Sequence, residues 1–295
     1  METAMDGPGW RCLWPLECAL GEGPVWDDRA GVLWFVDIDG RMVHRFDPET
    51  GARWSWQPPC RIGALALRAG GSGFVAGTEH GFAFVDPEAN RFEPIADPEP
   101  HLPGNRFNDG KVDADGVFWA GTMDDAKRTR TGALYRLDAT LAWTVADSGY
   151  RITNGPTFSL DGRIVYHNDT IDRVTYAFDH ADGQLSNRRI FKDWSGLPGN
   201  PDGLTTDAEG FLWQAVWGGS CVRRVSPAGE VVAELALPVS QVTCCTFGGA
   251  KLDRLFVTTA RQTLSAERLT VEPLAGGLFE VFPSVRGMPA GVFGG

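Results

Sequence analysis

Six stretches of this 295-residue chain begin alike, and that self-similarity limits the fold more than any other feature. Laid under one another, the units start near residues 23, 63, 108, 154, 202 and 243, a little over forty residues apart. Each opens on a short apolar run and meets a tight turn such as Asp115-Gly116, Asp161-Gly162 or Glu209-Gly210. A second strand-like segment follows (LWFVDIDG, GFVAGTEHG, VFWAGTM, IVYHNDT, FLWQAVW and LFVTTAR in the six units), then a third and a fourth. Helical periodicity is nearly absent, and Val, Phe, Trp and Tyr alternate between turn residues, so these segments read as strands. The period is that of a four-stranded propeller blade. One such sheet cannot bury both of its faces, whereas six packed radially can. The expectation is a single all-β domain over 1–295: a six-bladed β-propeller of four-stranded antiparallel blades. The sixth unit runs short after GGLFEVFPSV, while Trp10, Leu13, Trp14 and Leu16 give residues 10–16 a strand-like pattern ahead of the first unit. This N-terminal strand is expected to complete the last blade and close the ring.

Composition narrows the partners. The net charge is −11, which repels phosphate backbones and argues against nucleic acid as a partner. It suits a cation or a small neutral substrate. No apolar run approaches a membrane span, and METAMDGPGW lacks the basic start and apolar core of a signal peptide. The six cysteines form no Cys-x-x-Cys pair, so they read as reduced, mostly buried side chains of a cytoplasmic protein.

Equivalent positions of a circular repeat lie at one height and point one way. Asn108, Asn154 and Asp202 each lie eight residues before the glycine of their first turn, and Glu22 lies nine before its own. All four therefore belong at the start of an innermost strand, at one mouth of a central channel. Glu22, Asn154 and Asp202 offer two carboxylates and an amide carbonyl. That oxygen set suits one divalent ion such as Ca²⁺, Mg²⁺, Mn²⁺, Fe²⁺ or Zn²⁺. Three protein ligands leave positions open for water and substrate, the pattern of a catalytic metal. Asn-Gly and Asp-Gly are also common turn pairs, so the reading rests on three coinciding at equivalent positions.

Longer motifs then appear in order along the chain: Leu20-Gly21-Glu22-Gly23-Pro24-Val25-Trp26, Asn105-Arg106-Phe107-Asn108-Asp109-Gly110-Lys111, Ala120-Gly121-Thr122-Met123, Ile152-Thr153-Asn154-Gly155-Pro156, Asn200-Pro201-Asp202-Gly203 and Cys244-Cys245-Thr246-Phe247-Gly248-Gly249. With these the chain resembles the gluconolactonase and regucalcin (senescence marker protein) family of six-bladed propellers, which includes bacterial sugar lactonases. The resemblance implies a metal held by Glu22, Asn154 and Asp202. It also implies substrate contacts from Arg106 and Asn108, and Asp202 as the base. A loop over the site often carries a carboxylate in such proteins, which here would be Asp124 or Asp125. The implied reaction is hydrolysis of xylono-, arabinono- or glucono-type lactones to aldonic acids.

Three rivals stand beside it: a calcium-binding regulatory protein on the same ligands, a lactonase of wider ester range, and a propeller used only as an interaction scaffold. No histidine pair has ligand spacing, and no Gly-x-Ser-x-Gly elbow, phosphate loop or dinucleotide fingerprint is present.

Overall fold

Six antiparallel sheets follow one another around a ring. The structure, a computed structural model, describes residues 5–295. The innermost strands are Gly21–Asp27, Ile62–Leu67, Asn105–Val112, Thr153–Phe158, Asn200–Thr206 and Val242–Gly248. Each packs against the inner strands of both neighbouring blades, and the last packs against the first.

Closure is made by Trp10–Trp14, which pairs with Leu278–Val281 in the sixth blade. This is the strand expected from the sequence, with one addition. Met5–Gly7 folds back on it through Pro8-Gly9, so that blade has five strands. Proline followed by a glycine at φ +82° is the chemistry of a type II turn, and it makes this hairpin. The sequence reading also passed over a six-residue helix, Ala266–Val271, between the second and third strands of the last blade. It is too short to show a period, although Ser265 caps it by accepting from the Arg268 N–H.

The hydrophobic core lies between the blades as six wedges. Trp34 and Val36 meet Leu65 and Phe74 between the first two blades. Val75 and Phe82 meet Phe107 and Phe118 in the next wedge. Trp119 and Tyr150 pack against Phe158 and Tyr176, and Tyr166 against Leu204 and Leu212. Trp213 meets Phe247, and Trp26 stacks on Phe256 to complete the circle. Both faces of every sheet are thereby covered, as the repeat required.

One irregularity recurs in all six blades. The ladder between first and second strands slips at Glu22/Val25, Ile62/Ala64, Phe107/Asp109, Asn154/Thr157, Pro201/Leu204 and Val242/Cys244. A bulge bends its strand and re-aims the side chain beside it. Here it does so at one level around the channel. At the opposite end the C-terminal segment crosses the ring. The Gly287 N–H donates to the Leu252 carbonyl, Phe293 exchanges backbone bonds with Leu67 and Ala69, and the Gly294 N–H donates to the Gly116 carbonyl.

Buried aspartates pin the tryptophans of two blades. Asp113 accepts from Trp119 Nε1 at 2.7 Å, and Asp207 from Trp213 Nε1 at 2.9 Å. Asp207 is fully buried and also accepts from Arg224 Nε and the Phe211 N–H. Asp207→Ala leaves these donors unpaired and is expected to lower unfolding stability by about 1–3 kcal/mol. In urea the midpoint should fall at unchanged slope. An unchanged midpoint would remove Asp207 from the stability account.

Candidate active site

At the bulged end of the ring lies a cavity of ≈ 190 Å³ whose wall includes Glu22, Arg106, Asn108, Lys127, Asn154 and Asp202. A larger cavity of ≈ 290 Å³ lies further along the channel, walled by Asp109, Lys111 and Cys244 and bounded by the C-terminal segment. The smaller one holds the convergent polar set and is the candidate site.

Five of the six residues singled out in the sequence share this wall. Asn108 Nδ2 donates to the Thr153 carbonyl at 2.7 Å and to Asn154 Oδ1 at 3.2 Å. Asn154 Nδ2 donates to Thr170 Oγ1, which fixes the amide with its oxygen toward Asn108. Arg106 lies within the innermost strand of the third blade, opposite Met123, because the bulge after Phe107 lets the ladder continue past it. Its Nη1 donates to Asn108 Oδ1 and the Phe107 carbonyl, and its Nε donates to Asp125.

The sixth residue, Asp125, stands behind Arg106. Its carboxylate joins Arg106 at 2.7 Å and Arg61 at 3.0 Å. It therefore orients Arg106, and the bonds it makes face the arginines. Asp124 turns the other way. Its buried carboxylate accepts from the N–H groups of Ala126, Arg128 and Thr129, so it shapes its own loop.

Sequence reasoning passed over several residues of this region. Asn168 and Gln214 both donate to the Asp202 carbonyl, at 2.6 and 2.9 Å, and hold that backbone in place. They lie on second strands, and only the ring brings them under a residue of another segment. Asp109, next to Asn108, accepts from the Gly110 and Gly155 N–H groups at 2.7 and 2.6 Å. It thereby ties the third blade to the bulge beside Asn154. Lys127 reaches across the mouth to Gln262 Oε1 at 3.3 Å. The motif Asn108-Asp109-Gly110-Lys111 carried the signal for Asp109; nothing local marked the others.

Electrostatically the site is unbalanced. Glu22 is 3% exposed and Asp202 6%. Burial raises the proton affinity of Glu22 well above the usual carboxylate range, with Asp202 and Asp109 repelling its charge. Burial does the same to Asp202, with Asp109 adding to it. Glu22 Oε2 accepts from the Gly23 N–H, and among the described residues neither carboxylate has a cationic side chain bonded to it. Among the described residues no group of three or more His, Cys, Asp or Glu is arranged for a metal; the convergent set is two carboxylates and an amide. Buried carboxylates without a cation, joined by an oriented amide oxygen, fit a divalent ion.

The profile of the SMP-30/Gluconolactonase/LRE-like region matches residues 20–261. The chain belongs to that family. Among its relatives, a 6-deoxy-6-sulfogluconolactonase of Pseudomonas putida is 36% identical over 287 residues, covering 97% of this chain and 98% of the relative. An L-arabinolactonase of Azospirillum brasilense is 35% identical over 280 residues, covering 94% and 92%. Among solved structures, a calcium-binding protein, regucalcin, of Agrobacterium tumefaciens matches with a TM-score of 0.92 at 30% identity over 97% of each chain. Family membership covers the stretch that supplies Glu22, Arg106, Asn108, Asn154 and Asp202.

Elsewhere, all six cysteines are free and buried. No helix among the described residues is long and apolar enough to cross a membrane.

The raised carboxyls make a stability prediction. In the unfolded chain they ionise near pH ~4. In the metal-free folded chain they keep their protons to higher pH, so the folded state binds more protons in that window. Their contribution is present at low pH and is lost as pH rises through the folded values. The melting temperature of metal-free protein should fall as pH rises above the unfolded value of ~4, and Glu22→Gln should flatten that slope. A melting temperature that climbs with pH equally in both proteins contradicts this assignment.

Proposed function

We propose that this protein is a sugar lactonase, a hydrolase that opens aldonolactones to aldonic acids with one divalent ion held by Glu22, Asn154 and Asp202. The observation that carries the reading is the meeting of those three oxygens with Arg106 and Asn108 in one cavity, in a chain whose relatives include named lactonases. The volume, ≈ 190 Å³, is below the roughly 300–1,000 Å³ of drug-sized pockets and suits a single sugar ring.

When bound, the ion supplies positive charge for the lactone carbonyl oxygen. The chain's own residues do the rest. Arg106, fixed by Asp125 and Asn108, presents its remaining terminal nitrogen to the cavity as a donor for substrate oxygens. Asn108 has both amide hydrogens committed to the protein, so its part is to hold Arg106 and Asn154 in register. Asp202 takes a proton from the attacking water as the C–O bond to the carbonyl carbon forms. The ring C–O bond then breaks, the ring oxygen receives a proton, and the acid product ionises. Burial favours Asp202 as a proton acceptor, while a bound cation opposes it.

A second reading, a calcium-binding regulatory protein, has one observation in its favour: the regucalcin structure of the same fold is described as calcium-binding. Turnover separates the two. Metal-stripped protein should open no lactone faster than the buffer does, and one added divalent ion should restore proton release. Folded, metal-loaded protein without turnover on any aldonolactone favours the regulatory reading. Asp202→Asn should lower kcat by about 10²–10⁴-fold. Full metal occupancy with near-normal turnover in that variant ends the base assignment. Because burial raises the proton affinity of the ligand carboxyls, ion binding should compete with protons, release them and tighten as pH rises. Calorimetry in buffers of different ionisation enthalpy measures this, and affinity independent of pH would count against these ligands.

A further inference from the structure

The relatives' names span neutral and sulfonated sugars, and the charge of this protein's own substrate is written in its cavity wall. Lys127 lies on the loop shaped by Asp124, whose carboxylate collects the N–H groups on both sides of it. The Lys127 N–H donates to the Asp124 carbonyl, and its backbone takes φ +59°, an uncommon conformation for a lysine. The loop therefore holds this residue in a defined place. Its side chain crosses the mouth from the third blade to the sixth, where Nζ meets Gln262 Oε1 at 3.3 Å. Gln262 is fixed in turn, since its Nε2 donates to Asp39 at 2.6 Å.

The charges around the mouth separate into matched sets. Glu22 and Asp202 match a divalent ion. Arg106 is met by Asp125, and Arg61 by Asp39, Glu79 and Asp125. Lys127 is the cation of the cavity wall with no carboxylate within 4 Å among the described residues; its one side-chain partner is a neutral amide. An ammonium group has three donors, so two remain for a ligand. Lys127 and Gln262 share the cavity wall with Glu22, Asn154 and Asp202, so the ammonium lies within reach of a ligand held in that cavity.

Resting on the lactonase reading, we propose that Lys127 is a specificity-determining residue that selects lactones carrying a tetrahedral oxyanion, sulfonate or phosphate, on the exocyclic carbon distal to the carbonyl. Gln262 positions the ammonium and offers its amide to the same group.

The test compares kcat/KM of the metal-loaded enzyme for glucono-δ-lactone, its 6-deoxy-6-sulfo analogue and its 6-phospho analogue. The wild type is expected to prefer one or both anionic lactones, and their separate values tell sulfonate from phosphate. In Lys127→Gln the anionic-to-neutral ratio of kcat/KM should fall by about 10–100-fold, the loss of one charge-assisted contact. The change should lie mainly in KM, and Lys127→Arg should keep part of the preference. A ratio is insensitive to metal lost from the variant, so a role for Lys127 merely as counter-ion to Glu22 and Asp202 leaves it unmoved. An unmoved ratio, or a wild type that favours the neutral lactone, overturns the proposal while leaving the lactonase reading standing. A wild type that opens none of the three brings down the lactonase reading itself.

Discussion

The register slip at the head of each inner strand is the constraint on which this molecule's chemistry depends. A regular strand alternates its side chains between two faces, and in a propeller both faces belong to the wedges of core between blades. A side chain can leave that alternation and turn into the channel only where the ladder is interrupted. The chain interrupts it once per blade, at one height, and places Glu22, Asn108, Asn154 and Asp202 at the interruptions. Glycines make two of these bends feasible. Gly155 sits at φ +88°, and a Cβ on Gly203 would come within 2.3 Å of Cys244 Sγ. The same positions in the second and sixth blades carry Ile62 and Thr243, so the ring's symmetry is structural while its chemistry is not.

Around that ring the polar groups form one connected system. Thr170 orients Asn154, Asn154 receives Asn108, Asn108 receives Arg106, and Asp125 fixes Arg106 from behind. From below, Asn168 and Gln214 hold the Asp202 backbone, and Asp109 holds the turn after Asn154. The buried carboxylates Glu22 and Asp109, by contrast, accept from backbone N–H groups. Glu22 and Asp202 have their proton affinity raised furthest among these carboxylates, by burial and then by charge, Asp202 and Asp109 acting on Glu22 and Asp109 on Asp202, and charge from a bound ion would relieve them.

The architecture and the converging residues were legible because both are properties of the repeat. Position within a unit predicts height and direction in the ring, so Glu22, Asn154 and Asp202 could be aligned by counting back from a turn. The closing strand was legible from a shortfall in the last unit. What escaped depends on contacts between units or on loops outside the repeat. Asn168 looks like any strand-end asparagine until the next blade brings Asp202 over it. The loop at residues 124–129 has no counterpart to be aligned with, so nothing in its sequence tells Asp124, which folds the loop, from Asp125, which braces Arg106. The hairpin at Met5–Gly7 and the C-terminal crossing likewise lie beyond the last repeat boundary.

Closure by Trp10–Trp14 has a consequence for how the molecule comes into being. The strand that seals the ring, Trp10–Trp14, is made long before its partner, Leu278–Val281, with the other five blades between them. Local hairpins can form as each blade emerges, but the contact that closes the ring waits until all six blades have been made. Contacts of such long sequence separation are slow to form. The three metal-ligand candidates come from the first, fourth and fifth blades, so they stay apart until that step is complete. The proposed cation affinity would therefore be a late product of folding, and its appearance would mark the moment at which a row of hairpins becomes a closed wheel.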